Sequence, residues 1–196
     1  MNELLSQKTN LRKILTHKRD FIKKNSTIEF NIEVFDKLNK YINFKEIIDI
    51  ASFISIRSEI STHQLNKKIM DLGKTLSFPV IKRDSTELIF IKSNPNTNFK
   101  LGKYNIPEPT NENEETLPQL FFVPCLGFDL NGYRLGDGGG FYDKTFAKLR
   151  KLNLKFYTVG FAFDEQKQNK IPIDGFDYKL DFVLTEKQLY LSLIHI

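Results

Sequence analysis

Apolar and polar residues near the start of the chain are spaced as in an amphipathic α-helix. Between Lys8 and Lys24 the apolar residues recur at helical spacing, which predicts a helix with one buried stripe. The predicted stripe consists of Leu11, Ile14, Leu15, Phe21 and Ile22. A basic ridge of Lys8, Arg12, Arg19 and Lys23 lies within roughly 60° of arc on this helix, at about 100° per residue. Two interpretations of the ridge stay open: a solvated face, or a phosphate contact made by its first turn.

Further along the chain, predicted strands alternate with predicted helices. A helix is expected at 32–41, and the nearly continuous apolar run 47–56 is typical of a central parallel strand covered on both faces. Ser61 and Thr62 can cap a third helix, which Gly73 ends. The other predicted elements are strands at 76–81, 87–91, 120–128, 156–163 and 181–184, and a helix at 141–152. This alternation predicts an α/β fold, a three-layer α/β/α sandwich with a mostly parallel, Rossmann-like sheet.

Two stretches stand apart from this alternation. The segment 92–119 is rich in Asn, Pro, Gly and Glu and holds four of the seven prolines, which predicts a long irregular connection of the kind that forms binding loops. The last six residues, 191–196, match what a sequencing-library transposon end encodes when it is translated in frame. We therefore expect one domain over 1–190 and treat 191–196, with His195, as a non-native tail.

Composition and charge narrow the function classes. With 40% apolar residues, among them 18 Phe, the chain can fill a core, which excludes disorder as its global state. A net charge of +5 favours acidic or phosphorylated ligands, and acids spread through the chain argue against nucleic acid as a partner. The single Cys125, the lack of a long apolar run and the polar N-terminus favour a cytoplasmic protein without membrane association. We expect a monomer that binds small molecules.

The stretch 128–143 carries the clearest chemical signal. Five of the ten glycines fall between Gly132 and Gly140, immediately before a predicted helix, so backbone N–H groups and a helix N-terminus can meet an anion there. The stretch is not a dinucleotide fingerprint, because Phe141 replaces the third glycine, and no Gly-Lys-Ser/Thr follows as in a Walker loop. A triphosphate is the ligand that this pattern favours.

Three features near the glycines strengthen that prediction. Arg134 can pair bidentately with phosphate oxygens, and Asp143 in the first helical turn offers a hard oxygen to Mg²⁺. Phe141 and Tyr142 add aromatic surface. An alternative for Asp143 also stays open, since an acid in a first turn stabilises the helix dipole without any metal.

Several motifs together resemble one known family. Val123-Pro-x-x-Gly-Phe-Asp129 followed by Gly132-x-Arg-Leu-Gly-x-Gly-Gly-Gly-Phe-Tyr-Asp143 is similar to the signature of the 5-formyltetrahydrofolate cyclo-ligases, also called methenyltetrahydrofolate synthetases. The resemblance extends to Lys8-x-x-Leu-Arg12, 53–60, 105–109, Asp177-x-x-x-Asp181 and 185–186, and so covers the chain up to the excluded tail. It implies an ATP- and Mg²⁺-dependent closure of 5-formyltetrahydrofolate to 5,10-methenyltetrahydrofolate, with release of ADP and phosphate.

The resemblance also implies roles for individual residues. The implied ATP-binding set is Lys8, Arg12, Arg134, Leu135, Gly136, Asp137, Gly138, Gly139, Gly140, Phe141 and Tyr142, with Lys8 and Arg134 as the catalytic cations. The implied Mg²⁺ ligands are Asp143 and Asp177. The implied folate contacts are Ile54, Glu59, Tyr104 and Phe141, with Glu59 accepting from pterin ring N–H groups. Simpler roles stay open for Ile54 as a core residue and for Tyr104 as a loop anchor.

The chain departs from the family pattern at two positions. Asp137 follows Gly136 where tyrosine or a basic residue is usual, so a negative charge lies beside the expected triphosphate. Lys144 replaces a frequent arginine and loses its planar fork. Two other functions remain alternatives at this stage: a different enzyme on a similar sheet, such as a sugar-phosphate isomerase or an acyl-CoA transferase relative, and a basic RNA-binding module.

Overall fold

The computed structural model of the chain describes residues 2–25, 28, 30–82, 85–110 and 114–192. The α-helices within them are α1 (Asn2–Asn25), α2 (Ile32–Asp36), α3 (His63–Asp71) and α4 (Phe141–Lys151). The strands are β1 (Asp49–Ala51), β2 (Thr75–Ile81), β3 (Leu88–Ser93), β4 (Phe99–Leu101), β5 (Pro107–Pro109), β6 (Glu115–Thr116), β7 (Leu120–Pro124), β8 (Gly127–Phe128), β9 (Arg134–Leu135), β10 (Tyr157–Phe161), β11 (Phe182–Leu184) and β12 (Leu189–Leu191).

One large sheet organises the described residues. Its strands lie in the order β12-β11-β10-β7-β1-β2-β3-β6. The inner strands β11, β10, β7, β1 and β2 pair in parallel, while β12 on one side and β3 and β6 on the other pair antiparallel. Short antiparallel pairs form between β4 and β5 and between β8 and β9. The prediction of a mostly parallel sheet is confirmed.

Side chains alternate across β7 and build a core on each face of the sheet. Leu120 and Phe122 join a core that includes residues of α2, α3 and the last turns of α1. Phe121 and Val123 point to the opposite core, which contains Phe146 of α4. Because successive side chains of a strand face opposite ways, a strand buried on both faces needs the continuous apolar run seen in the sequence. The three-layer α/β/α arrangement is confirmed.

The first helix buries a different face from the one predicted. Leu15 and Ile22 are buried, but Ile14 and Phe21 are 62% and 68% exposed, so their place in the buried stripe was wrong. Lys8 and Arg19 are buried instead, which contradicts the interpretation of the basic ridge as a solvated face at these positions. At about 100° per residue Lys8 and Arg19 lie beside Leu15 and Ile22, so these four residues face the body of the protein, while Lys23 of the ridge is exposed.

Other predicted elements differ in extent. The central strand keeps only Asp49–Ala51 of 47–56, because the chain then leaves the sheet to form a turn. The helix predicted at 32–41 ends at Asp36 and continues as a 3₁₀ turn over Lys37–Lys40. The segment 92–119 is not wholly irregular, since β4, β5 and β6 lie within it. The run 120–128 divides into β7 and β8.

Predictions at the ends of α3 hold in part. The helix begins directly after Thr62, but the Thr62 hydroxyl accepts from the Ser55 N–H at 3.3 Å instead of capping the helix. The Ser61 hydroxyl accepts from the His63 N–H at 3.4 Å. Gly73 follows the helix with a φ of +68°, the left-handed conformation that made glycine the expected terminator.

Part of the excluded tail lies in the fold. Leu191 pairs with Phe182 across β12 and β11, and the Ser192 hydroxyl donates to the Asn131 carbonyl at 3.0 Å. Residues 193–196, including His195, lie outside the described residues, and the domain boundary at 190 stays a prediction. Within the described ranges, the helices are too short or too polar to cross a membrane.

Candidate active site

The candidate site lies at the carboxyl ends of two neighbouring parallel strands. β1 and β7 pair with each other, but the chain runs from β1 to β2 on one side and from β7 to β10 on the other. Such a reversal of strand order opens a crevice beyond the strand ends, which is where α/β sheets bind ligands. The turn 52–60 follows β1 and the glycine-rich segment 125–140 follows β7, so the two segments that carry most of the predicted site residues lie beside this crevice.

Helix α1 lies against the glycine-rich segment. Leu15 packs in a small apolar cluster with Leu126, Leu135 and Ile171. A Cβ on Gly127 would lie 2.5 Å from the Leu15 side chain, so the absence of a side chain at Gly127 permits this close approach. The basic face of α1 is thereby held against the segment in which a phosphate site was predicted.

Asp129 shapes the start of the glycine-rich segment. Its buried carboxylate accepts hydrogen bonds from the backbone N–H groups of Asn131, Tyr133 and Ile171 at 2.9, 3.1 and 3.0 Å. These bonds close the turn between β8 and β9 and join it to the chain before residue 174. The Asp129 of the sequence motif therefore has a structural role.

The glycines lie at the N-terminus of α4. Gly138 has a φ of +106°, and Gly140 is the N-cap of the helix with a φ of +67°. Only glycine adopts such conformations readily, and residues 137–139 are exposed. The backbone N–H groups of this turn and the positive end of an 11-residue helix lie at the surface of the protein, an arrangement that suits an anion.

Arg134 and Asp143 form a two-pronged ion pair. The guanidinium donates from its two terminal nitrogens to the two carboxylate oxygens of Asp143 at 3.0 and 3.1 Å. Asp143 Oδ1 also accepts from the Tyr178 N–H at 3.0 Å. Arg134 is buried and its guanidinium lies 5.8 Å from the centre of the Tyr142 ring. Asp143 thus orients Arg134 at the base of the glycine turn.

Lys8 is held between two carboxylates. Its ammonium donates to Asp174 Oδ2 at 2.7 Å and to Asp177 Oδ2 at 2.6 Å. Burial lowers the pKa of Lys8, but the hydrogen bonds and charges of the two aspartates outweigh it and raise the pKa above its ordinary value. The hydrogen bond from Lys8 lowers the pKa of Asp174. The sequence analysis did not identify Asp174 as a partner of Lys8. Its position three residues before Asp177 could have indicated that both carboxylates lie near the same cation.

Arg12 connects α1 to the glycine turn directly. Its Nε donates to the Gly136 carbonyl at 2.9 Å. The carbon at the centre of its guanidinium would lie 3.3 Å from a Cβ on Gly138, so the guanidinium passes beside that glycine. The structure therefore brings Lys8, Arg12 and Arg134 to one region, as the family resemblance implied.

Glu59 lies in a closed environment on the β1 side of the crevice. Its Oε2 accepts from the Ile56 N–H at 2.8 Å, and its Oε1 is 3.8 Å from a terminal nitrogen of Arg19. Burial raises the pKa of Glu59 to about 7; the Ile56 hydrogen bond and the charges of Arg19 and Arg57 oppose this rise, and the charge of Asp137 adds to it.

The predicted aromatic folate contacts come together. The rings of Tyr104 and Phe141 are 6.3 Å apart at an angle of 65°, although 37 positions separate them in the chain. Tyr104 is 58% exposed and has a left-handed φ of +62°, as does Asn105 at +58°, and such strained positions concentrate at ligand sites. The Lys103 ammonium lies 5.4 Å and 5.6 Å from the two ring centres. Ile54 is half-buried beside the core, so both interpretations of that residue stay open.

The carboxylates present suit Mg²⁺ in the presence of a phosphate ligand. Across the described ranges, no group of three or more His, Cys, Asp or Glu side chains is arranged to hold a metal ion alone. Mg²⁺ is commonly held by one or two carboxylates together with substrate phosphates and water, so a pair of aspartates beside the predicted triphosphate site is a fitting donor set. Each predicted ligand is also bonded to a cation, Asp143 to Arg134 and Asp177 to Lys8.

Comparisons with known proteins identify the family of the chain. The model of the 5-formyltetrahydrofolate cyclo-ligase family matches residues 5–186. The chain is 31% identical over 146 residues to 5-formyltetrahydrofolate cyclo-ligase of Escherichia coli K12, covering 72% of this chain and 79% of the relative. It is 35% identical over 159 residues to the enzyme of that name from Mus musculus, covering 76% of each.

Solved structures show the same likeness. The 5,10-methenyltetrahydrofolate synthetase of Aquifex aeolicus matches with a TM-score of 0.74 at 29% identity, over 95% of this chain and 93% of that one. The enzyme of that name from Mycoplasma pneumoniae matches with a TM-score of 0.67 at 26% identity, over 91% and 98%. The chain belongs to the 5-formyltetrahydrofolate cyclo-ligase family.

Proposed function

We propose that the chain uses ATP and Mg²⁺ to close 5-formyltetrahydrofolate to 5,10-methenyltetrahydrofolate by way of a phosphorylated formyl group. The reaction is that of the family, and membership of the family implies that ATP is used. The observation that carries the proposal is the set of cations around the exposed glycine turn on the N-terminus of α4. Arg12 donates to the Gly136 carbonyl, Arg134 is bonded to Asp143 in the first turn of α4, and Lys8 lies one helical turn before Arg12 on α1. Cations, backbone N–H groups and a helix dipole are what phosphoryl transfer requires of a protein.

On the phosphate side, the glycine turn from Gly136 to Gly140 binds the triphosphate through its N–H groups. Arg134, held by Asp143, and Arg12, held by the Gly136 carbonyl, face it with fixed guanidinium groups. Lys8 moves from its aspartates toward the phosphoryl group that is transferred. Asp143 and Asp177 would hold Mg²⁺, which would supply charge neutralisation at the phosphates.

On the folate side, Glu59 accepts hydrogen bonds from the pterin ring, and Tyr104 and Phe141 hold the aryl part of the substrate. Phe141 is the first residue of α4, so the same helix that presents the glycine turn also reaches the folate. This shared element supports a binding mode in which the formyl group lies next to the terminal phosphate.

The chemistry then needs positioning more than it needs an enzyme nucleophile. The formyl oxygen attacks the γ-phosphorus and ADP leaves, which turns that oxygen into a phosphate leaving group. The N10 amine attacks the formyl carbon and loses its proton, and the C–O bond breaks as phosphate departs with the electron pair. The attack is intramolecular, so N10 and the formyl carbon are already close and little further motion must be restricted for them to react. We therefore assign no general base.

An isotope experiment tests this route. With ¹⁸O in the formyl oxygen, each turnover should transfer one labelled oxygen to inorganic phosphate, measured by mass spectrometry alongside the absorbance of the methenyl product. Release of unlabelled phosphate would contradict the phosphorylated formyl group. Product formation without ATP would contradict the nucleotide requirement and favour an enzyme of the isomerase or transferase type.

A further inference from the structure

Arg19 is a buried cation that the proposed steps do not use. It lies on α1, is only 3% exposed, and belongs to the basic ridge of that helix. Its Nε donates to the Ser58 hydroxyl at 3.2 Å, and a terminal nitrogen lies 3.8 Å from Glu59 Oε1. One guanidinium therefore contacts two successive residues of the turn that follows β1.

The turn itself depends on these contacts for its shape. Glu59 Oε2 accepts from the Ile56 N–H at 2.8 Å, and the Glu59 N–H donates to the Ile56 carbonyl at 3.0 Å. Arg57, between them, has a left-handed φ of +52°, which a residue with a side chain adopts only when its surroundings hold it there. The planar fork of Arg19 reaches this turn from another element and fixes both its hydroxyl and its carboxylate.

A buried carboxylate also needs a charge partner to stay ionised. The side chains of Arg19 and Glu59 are 4% and 7% exposed, so water screens their attraction weakly. Removing one member of such a pair leaves the other charge buried alone, and a lone buried carboxylate becomes protonated. A protonated Glu59 loses one of the two oxygens that could accept from a pterin N–H group.

We infer that Arg19 is a positioning residue for folate, which holds the 56–59 turn and keeps the Glu59 carboxylate aimed into the crevice as an acceptor. This inference rests on the proposed function, since it requires Glu59 to bind the pterin. It gives Arg19, the third residue of the ridge in chain order, a role separate from that of Lys8 and Arg12. The affinity for folate, and not that for ATP, should depend on Arg19.

The groups that act on Glu59 come from several elements. Arg19 from α1, Arg57 from the same turn and Asp137 from the glycine turn act on its charge. Cys125 after β7 and Tyr142 on α4 are coupled to it as well, and burial keeps both neutral by raising their pKa values. The pKa of Glu59 is raised to about 7, so the carboxylate is ionised above that pH and protonated below it. Folate binding should accordingly weaken as the pH falls through this range.

Arg19→Gln tests the inference, with Lys23→Gln on the exposed last turn of α1 as the matched control. We expect Arg19→Gln to raise the folate KM about tenfold at pH 7, as expected for loss of a bond to a charged group, with the ATP KM within about twofold. The midpoint of folate KM against pH should move up by about one unit. Lys23→Gln should match the wild type.

Further variants separate the possible failures. If Arg19→Gln does not fold, as circular dichroism would show, Arg19→Lys carries the test, and about a threefold higher folate KM with an unchanged ATP KM is expected because the charge stays and the fork is lost. If Glu59→Gln leaves the folate KM unchanged, the proposed role of Glu59 fails. If Glu59→Gln raises it while the folded Arg19 variants keep the wild-type KM and midpoint, the inference about Arg19 fails.

Discussion

The two ends of α1 place buried cations in different surroundings. Near its start, Lys8 bonds to Asp174 and Asp177, whose side chains are 39% and 21% exposed. Three turns later, Arg19 faces Glu59, whose side chain is 7% exposed. Ion pairs that water can reach are worth little and exchange partners readily, whereas a buried pair is costly to break. The proposed movement of Lys8 to a phosphate therefore breaks the weaker of the two sets of contacts, while Arg19 is expected to stay with Glu59.

The largest expected effect comes from a substitution in the predicted phosphate site. Asp143→Asn should lower turnover roughly 100-fold, because it weakens the grip on Arg134 and removes a predicted Mg²⁺ ligand. The folate KM should stay near that of the wild type, since Glu59 lies in the other set of contacts. Steady-state rates at saturating folate and ATP, with circular dichroism of the variant, measure this.

A magnesium titration of the same variant separates two roles of Asp143. If Asp143 is a ligand of Mg²⁺, the Asp143→Asn variant should need about tenfold more Mg²⁺ than the wild type for half-maximal activity. Lower turnover with an unchanged Mg²⁺ requirement would mean that Asp143 acts through Arg134 alone. Wild-type turnover would contradict both roles.

A smaller effect should follow from stiffening the glycine turn. Gly138→Ala puts a Cβ on a residue with a φ of +106° and brings it 3.3 Å from the Arg12 guanidinium. A side chain in a left-handed conformation costs about 1–2 kcal/mol, so we expect the ATP KM to rise about tenfold while the folate KM is maintained. Gly175→Ala is the control, because its Cβ would meet no atom within 4 Å. Equal ATP KM values for the two variants would contradict a special role of the turn.

The smallest expected effect comes from Asp137, whose charge acts both at the glycine turn and on Glu59. Asp137 lies on the exposed glycine turn, and its charge also contributes to the raised pKa of Glu59. Asp137→Asn should lower the ATP KM about two- to threefold, the scale of an exposed charge, and should shift the midpoint of folate KM slightly toward acid pH. The shift is acidic because a negative neighbour is removed from an acid. A higher ATP KM in this variant would instead indicate that Asp137 helps to hold Mg²⁺.

Much of the fold was predictable from local patterns. The apolar run around Ile50 indicated a central parallel strand, and Gly73 marked a helix end, because each signal depends on its own neighbourhood. The length of β1 was not predictable in the same way. A run of apolar residues does not show where the chain must leave the sheet, and here Ser52 to Ile56 leave it to carry Glu59.

The candidate site was predictable as a set of residues but not as a geometry. The motif identified Arg134, Asp143 and the glycines as candidate site residues. It could not show that both carboxylate oxygens of Asp143 accept hydrogen bonds from Arg134. Hydrophobic spacing also assigned Ile14 and Phe21 to the wrong side of α1, because it counts apolar residues as inward and charged residues as outward. In this helix, ion pairs with distant segments draw Lys8 and Arg19 inward instead.

The ion pairs of Lys8 join positions 166 and 169 residues apart in the chain. During synthesis on the ribosome, the lysine is made long before the two aspartates. Contacts between such remote positions form late, because the entropy cost of closing a long loop must be met before the contacts stabilise the fold. In a nascent chain, Lys8 should thus meet its aspartates only after the inner strands β1, β2, β7 and β10 have been made.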